Sequence, residues 1–212
     1  MKYKSPPKKN PLVQIIQIGI EIWIRSKCKY IHKINIQLNG SPIGILSGKL
    51  SGINLNASDV NFKNLPLHSV ELSSGPLRIS INPSKKKQRI NLEKAFKVQG
   101  NISMTNQDLN KLILSKKWEW IGRLLSKNLL QADNLESIEI CNDMIKLNGY
   151  SKNSQKQFTG EFKVEAESGT LVFLNQHTSQ VCKLPMDPSI DIKHVTLKDG
   201  KLFINGQSEV NP

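Results

Sequence analysis

Arginine is scarce in this chain: of 30 basic residues only Arg25, Arg78, Arg89 and Arg123 carry a guanidinium. Planar phosphate and base-edge recognition leans on arginine's bidentate fork, so the shortage counts against a nucleic-acid partner despite a net charge of +13. Aromatic residues are also few, at 6%, and they are not interleaved with the lysine runs as a single-strand stacking platform requires. Acidic residues number only 17, and the lysine surplus favours polyanionic partners such as phospholipid headgroups. An AT-rich genome would by itself account for part of the Lys, Ile and Asn content.

Cysteine is limited to Cys28, Cys141 and Cys182, an odd number with no Cys-x-x-Cys pair. That points away from a disulfide framework or zinc site and fits a reducing compartment. His32, His68, His177 and His194 are scattered, without metal-ligand spacing. No nucleophile elbow, P-loop or dinucleotide fingerprint occurs, so no catalytic residue and no cofactor is expected. Asp133, Glu136, Glu139 and Asp143 cluster in sequence but read as solvated surface, and the Asn-Gly pairs at 39–40, 148–149 and 205–206 read as turns.

The chain also lacks a long hydrophobic run. Its most apolar stretch, Leu12 to Ile24, covers about 13 residues and is broken by Gln14, Gln17 and Glu21, whereas a spanning helix needs about 20. No small-residue cleavage site follows it, so the segment is expected to be retained rather than exported. Residues 1–10 read as a basic flexible tail. Beyond it, Ile16, Ile18, Ile20, Ile22 and Ile24 alternate like a strand, while Gln14, Gln17, Glu21 and Arg25 form a stripe at helical spacing. The helix over about 11–27 explains more of the polar residues, and its apolar face either packs on the domain or lies at a membrane interface.

What is present is mostly short alternating runs: Ile34, Ile36 and Leu38; Ile53, Leu55 and Ala57; Val60 and Phe62; Val70 and Leu72; Leu77, Ile79 and Ile81. These predict half-buried antiparallel strands. Between Ala57 and Val60 the alternation slips by one residue, as at a bulge. Phe96, Val98, Ile102 and Met104 continue the pattern with Gly100 among them, where a bulge or close approach is expected. At Thr105 and Asp108 a capping-box pattern opens a helical region of about 105–131, with Leu109, Leu112, Ile113, Trp118, Ile121, Leu125 and Leu129 at helical spacing. From Ser137 the strands return as a repeat, in which Ile138, Ile140, Asn142-Asp143, Ile145 and Leu147 recur as Val195, Leu197, Asp199-Gly200, Leu202 and Ile204. Each copy predicts a hairpin. Residues 175–189 read as a loop.

The predicted fold is α+β: one elongated domain in which a long, curved antiparallel sheet wraps around helices. Its apolar strand positions bound either a filled core or an open groove, which periodicity alone does not separate.

The run from Ile34 to Gly40, the stretch from Leu65 to Leu72 and the stretch from Ser103 to Asn110 resemble the LmeA-like phospholipid-binding family, particularly its cyanobacterial members, over residues 11–209. The hairpin repeat is similar too. The resemblance implies a non-enzymatic lipid-binding domain, tubular in outline, with an apolar groove and no catalytic residues. Mycobacterial members are exported and connected with lipoglycan maturation, from which this chain departs in having no recognisable export signal.

Together these readings predict a cytoplasmic, peripherally membrane-associated protein that binds phospholipid or a similar amphiphile at an anionic membrane surface. Leu12, Ile16, Ile20, Trp23 and Ile24 are the expected membrane contacts. Lys8, Lys9, Lys27, Lys29, Lys85, Lys86, Lys87 and Arg89 are the expected headgroup contacts. Ile53, Leu55, Phe62, Phe96, Val98, Phe162 and Val164 are the expected groove lining. The competing reading is a structural module whose apolar start docks on a protein partner.

Overall fold

The computed structural model describes residues 11–81 and 90–211. In chain order the elements are α1 (Pro11–Lys27), β1 (Tyr30–Asn39), α2 (Pro42–Leu46), β2 (Lys49–Leu50), β3 (Gly52–Phe62), β4 (Leu65–Ser74), β5 (Leu77–Ile81), β6 (Ile90–Leu92) and β7 (Phe96–Thr105). There follow α3 (Asn106–Ile113), α4 (Glu119–Leu125), a π-helical turn (Ser126–Leu130), β8 (Asn134–Cys141), β9 (Met144–Ser151), β10 (Lys156–Glu167), β11 (Thr170–Asn175), β12 (Val181–Lys183), β13 (Ile190–Lys198) and β14 (Lys201–Val210). The expected single long sheet is divided into three. Six strands run in the order β1-β3-β4-β7-β14-β13, five in the order β12-β11-β10-β9-β8, and β2-β5-β6 form a small third sheet.

All named strand pairs are antiparallel, and the six-stranded sheet keeps one apolar and one polar face because side chains alternate. On the polar face Asn35, Asn56, Glu71, Asn101, Asn205 and His194 stand side by side across all six strands, and Gln37, Asn54, Ser73, Gln99, Gln207 and Asp191 form the adjacent row. Amide groups bridge neighbouring strands there, with Asn205 donating to Asn101 at 2.7 Å and Gln207 to Asp191 at 3.0 Å.

The phase slip after Ala57 is real, but no residue is inserted, which corrects the expected bulge. The β1–β3 and β3–β4 ladders run in constant register through it, while Asp59 takes a left-handed φ of 48°. Ile31, Val60 and Leu67 are all buried although they are out of phase with Ile34, Ala57 and Val70, so three strands change face together. Gly100 likewise sits in unbroken ladders, and a side chain there would meet Leu72 at 2.7 Å.

The five-stranded sheet packs its apolar face on the helical segment. Leu125, Leu129 and Leu130 are buried against it with Ile138, Ile145, Leu147 and Phe162. Gly149 and Gly160 lie on neighbouring strands, and a Cβ on either would collide with Leu130, or with the Phe162 ring at Gly160. These glycines make room for the helix. The Asn-Gly pairs at 148–149 and 205–206 are therefore strand interiors and not the expected turns; at Gly206 a Cβ would strike the Asp191 carbonyl at 2.8 Å. True two-residue turns occur at Lys63-Asn64 and Asp199-Gly200, where both φ values are positive. Val181–Lys183 forms a short strand on β11 within the segment expected to be a loop.

The capping box at the start of α3 is formed as expected. The Asp108 amide donates to Thr105 Oγ1 at 3.2 Å, and the Thr105 amide donates to Asp108 Oδ2 at 2.9 Å. One turn of α3 then borders the free edge of β8. The Asn106 side chain accepts from the Ile140 amide at 2.7 Å, while Asn110 accepts from the Ile138 amide and donates to its carbonyl at 3.0 and 2.7 Å. Two side chains thus take the place of a missing strand neighbour. Opposite, a bridge between Gly169 and Ile192 ties the β10–β11 turn to β13, joining the two large sheets.

Candidate lipid-contact surface

The apolar face of the six-stranded sheet carries two registered rows. One runs Ile36, Leu55, Leu72, Gly100, Gly206, Ile192 and the next Ile34, Ala57, Val70, Ile102, Ile204, Val195. Ile36, Leu55, Val70 and Ile192 are buried. Ile34, Leu72, Ile102, Val195 and Ile204 are only half-buried, although their side chains pack against the core. Further along the same face lie Leu38, Ile53, Phe96 and Val98, also half-buried. Gly100 and Gly206 are neighbours in the first row, and the Leu72 side chain and the Asp191 carbonyl take the space beside them.

The residues expected to line a groove are split by this arrangement. Ile53, Leu55, Phe96 and Val98 lie in the six-stranded sheet, with Leu55 buried. Phe162 and Val164 lie in the five-stranded sheet, where Phe162 has 0% of its surface exposed and belongs to a filled core. Phe62 closes β3 at the surface, with the Lys63 ammonium 5.2 Å from its ring centre. Ile34, Leu72, Ile102, Val195 and Ile204 were missed as a set. Only cross-strand register, which a sequence does not print, brings them together.

Of two surface depressions, one lies away from these rows and the other also borders Ile102 and Ile204 of the second row. One, of about 500 Å³, is bordered by Thr170, Leu184, Pro185 and Met186; the other, of about 310 Å³, lies over Ser69, Glu71, Asn101, Thr196 and Phe203 on the polar side. The half-buried Ile34, Ile102, Ile204 and Val195 lie in one register across the sheet.

At the N-terminus the helical alternative holds. Ile16 and Ile20 are buried on the domain, Val13, Trp23 and Ile24 are half-buried against the core, and Ile15, Ile18 and Ile22 point outward. Docking therefore takes Ile16 and Ile20, two of the five expected membrane contacts, inward and leaves Trp23 and Ile24 partly covered. The helix end is pinned where Arg25 donates to the Ile31 carbonyl at 3.0 Å and the Lys29 amide donates to Asn61 at 2.8 Å. Lys27 and Lys29 are exposed, with the Lys27 ammonium 5.8 Å from the Trp23 ring centre. Lys8, Lys9, Lys85, Lys86, Lys87 and Arg89, and the side chain of Leu12, lie outside the described residues.

Of the carboxylate cluster, Asp133 is held structurally: its Oδ2 accepts from the Lys152 amide at 2.7 Å and from the Ser151 hydroxyl at 3.1 Å, a local strap to the end of β9. Burial pushes the Cys182 thiol above its ordinary value, outweighing the opposing hydrogen bond from Asn128. It therefore stays protonated and shielded near neutral pH. Native protein treated with iodoacetamide is expected to leave Cys182 unmodified on the timescale that labels it fully in urea; equal rates by peptide mapping would refute that packing.

The family model described as LmeA-like phospholipid-binding matches residues 9–197. The chain belongs to this family. No curated protein and no solved structure matches it. In this LmeA-like chain the match runs from just before α1 into β13, so it takes in both large sheets and the helices between them. Among the described residues no helix is long and apolar enough to cross a membrane, and no group of three or more His, Cys, Asp or Glu side chains could hold a metal ion.

Proposed function

We propose that this protein binds phospholipid, without chemistry, by laying acyl chains along the apolar face of the six-stranded sheet while peripherally associated with a membrane, and so serves as a lipid carrier or sensor. The observation that supports the reading most is the registered row Ile34, Ile102, Ile204 and Val195, apolar and only half-buried. A methylene leaving water for such a surface gains about 0.8 kcal/mol, so a strip crossing six strands can hold a chain without a closed cavity. On this reading the two large sheets and the helices give the tubular lipid-binding outline, and the exposed Lys27 and Lys29 attract headgroup phosphate at about 1 kcal/mol per charge near an anionic surface.

The reading is tested by native mass spectrometry with lipid extraction on full-length protein purified without detergent. A stoichiometric phospholipid is expected, and Ile102→Glu with Ile204→Glu should lower its occupancy at least ~10-fold, the equivalent of about 1.4 kcal/mol. An empty wild-type protein that also fails to take up a fluorescent phospholipid would refute the proposal.

A further inference from the structure

Helix α1 is apolar on two sides, and among the described residues only one side is packed on the domain. Ile16 and Ile20 are buried, whereas Ile15, Ile18 and Ile22 are 63%, 55% and 63% exposed. Spacings of three and four residues align this second set along the helix. Gly19 adds no bulk beside it, and the space about its absent Cβ is open to 4 Å. Helix α2 is in contact with α1 and leaves Ile43 and Leu46 82% and 43% exposed. Its short course is set by the sequence, since Ser41 accepts from the Gly44 amide at 3.1 Å and Pro42 opens the first turn. Scattered apolar surface residues are ordinary, but three along one helix face, with two more on a helix in contact with it, call for an occupant.

Charge selects the occupant. Between Pro11 and Leu50 the only acidic residue is Glu21, and Arg25 engages it at 2.9 Å. Lys27, Lys29, Lys33 and Lys49 are exposed on the same elements or their immediate continuations. A second copy docking by two-fold symmetry would press these like charges together. An anionic bilayer instead satisfies both the isoleucines and the lysines. We propose that Ile15, Ile18 and Ile22 of α1, with Ile43 and Leu46 of α2, enter the interface of an anionic bilayer, α1 lying in the membrane plane while its opposite face stays docked on the domain. The proposal deepens the phospholipid-binding reading and rests on it, because it names the face that meets the membrane from which lipid is drawn.

The test uses the full chain in flotation with vesicles of phosphatidylcholine alone and of phosphatidylcholine with phosphatidylglycerol. Wild-type protein is expected to float with the anionic vesicles and to be released by high salt in part only, because the apolar contact is not screened. The triple variant Ile15→Ser, Ile18→Ser, Ile22→Ser should lose vesicle partitioning by about 100-fold or more, as the removal of three interfacial isoleucines implies. Because these positions are exposed, its circular dichroism and melting should match wild type, as should its uptake of fluorescent phospholipid from detergent-dispersed stock. Lys27→Glu with Lys29→Glu should abolish the preference for anionic over neutral vesicles. Triple-variant binding at wild-type strength, or wild-type protein that ignores both vesicles, would overturn the proposal. So would a dimer in sedimentation that the triple variant dissolves. Loss of fluorescent-lipid uptake in the wild type, with flotation intact, would instead refute the sheet-face reading.

Discussion

Phe162→Ala should lower the free energy of unfolding by about 3–5 kcal/mol, the range for emptying a fully buried aromatic site. Phe162 has 0% of its surface exposed, stands across from Ile145 on β9, and its ring crosses the space left by Gly160 beneath Leu130. The π-helical turn that carries Leu130 is closed by Gln131 at a left-handed φ of 54°, so Leu130 cannot simply sink into the vacated volume. The deficit should therefore lie nearer the upper end. Urea titration followed by tryptophan fluorescence measures it; an unchanged slope with the unfolding free energy lowered by less than about 1 kcal/mol would mean the ring is not packed as described.

Asn106→Ala combined with Asn110→Ala should cost about 2–4 kcal/mol and make the protein associate. Three hydrogen bonds to the β8 edge vanish together, each worth about 1 kcal/mol net and more where the backbone group stays dry. Ile138 and Ile140 are buried, so water reaches their peptide groups poorly once the amides are gone. The uncovered edge is then a template for another strand. Urea unfolding gives the energy, and light scattering over a concentration series gives the association. A variant that is destabilised but stays monomeric would show that α3 still shields the edge by bulk alone.

Legibility in the sequence followed the range of the interaction that decided each feature. The α3 start was readable because Thr105 and Asp108 settle it within one turn, and the Asp199-Gly200 hairpin because two left-handed residues suffice. α1 was readable as a helix, but not which of its two apolar faces docks, since Ile16 and Ile18 differ only in what the folded domain puts beside them. The division into three sheets, the β8 edge cover and the half-buried row from Ile34 to Val195 depend on residues scores of positions apart, and no local period encodes that pairing. The phase slip was visible at Ala57 and Val60, but its mechanism, a left-handed Asp59 in an unbroken ladder, was not. At Gly149 and Gly206 the Asn-Gly pairs carry the same local signature as a turn, and only the Leu130 side chain or the Asp191 carbonyl nearby explains the glycine.

The amide rows on the outer face of the six-stranded sheet bear on more than solubility. Across twelve positions they hold Glu71 and Asp191 but no lysine or arginine, while the chain carries +13 in total. The flanking positions of the same face carry Lys33 on β1, Lys97 on β7, Lys198 on β13 and Lys201 on β14, so the rows are a band of amides and carboxylates rimmed by ammonium groups. With cations on its rim and carboxylates within the rows, the face presents charge of both signs within a Debye length of about 8 Å, which mutes its field toward any one partner.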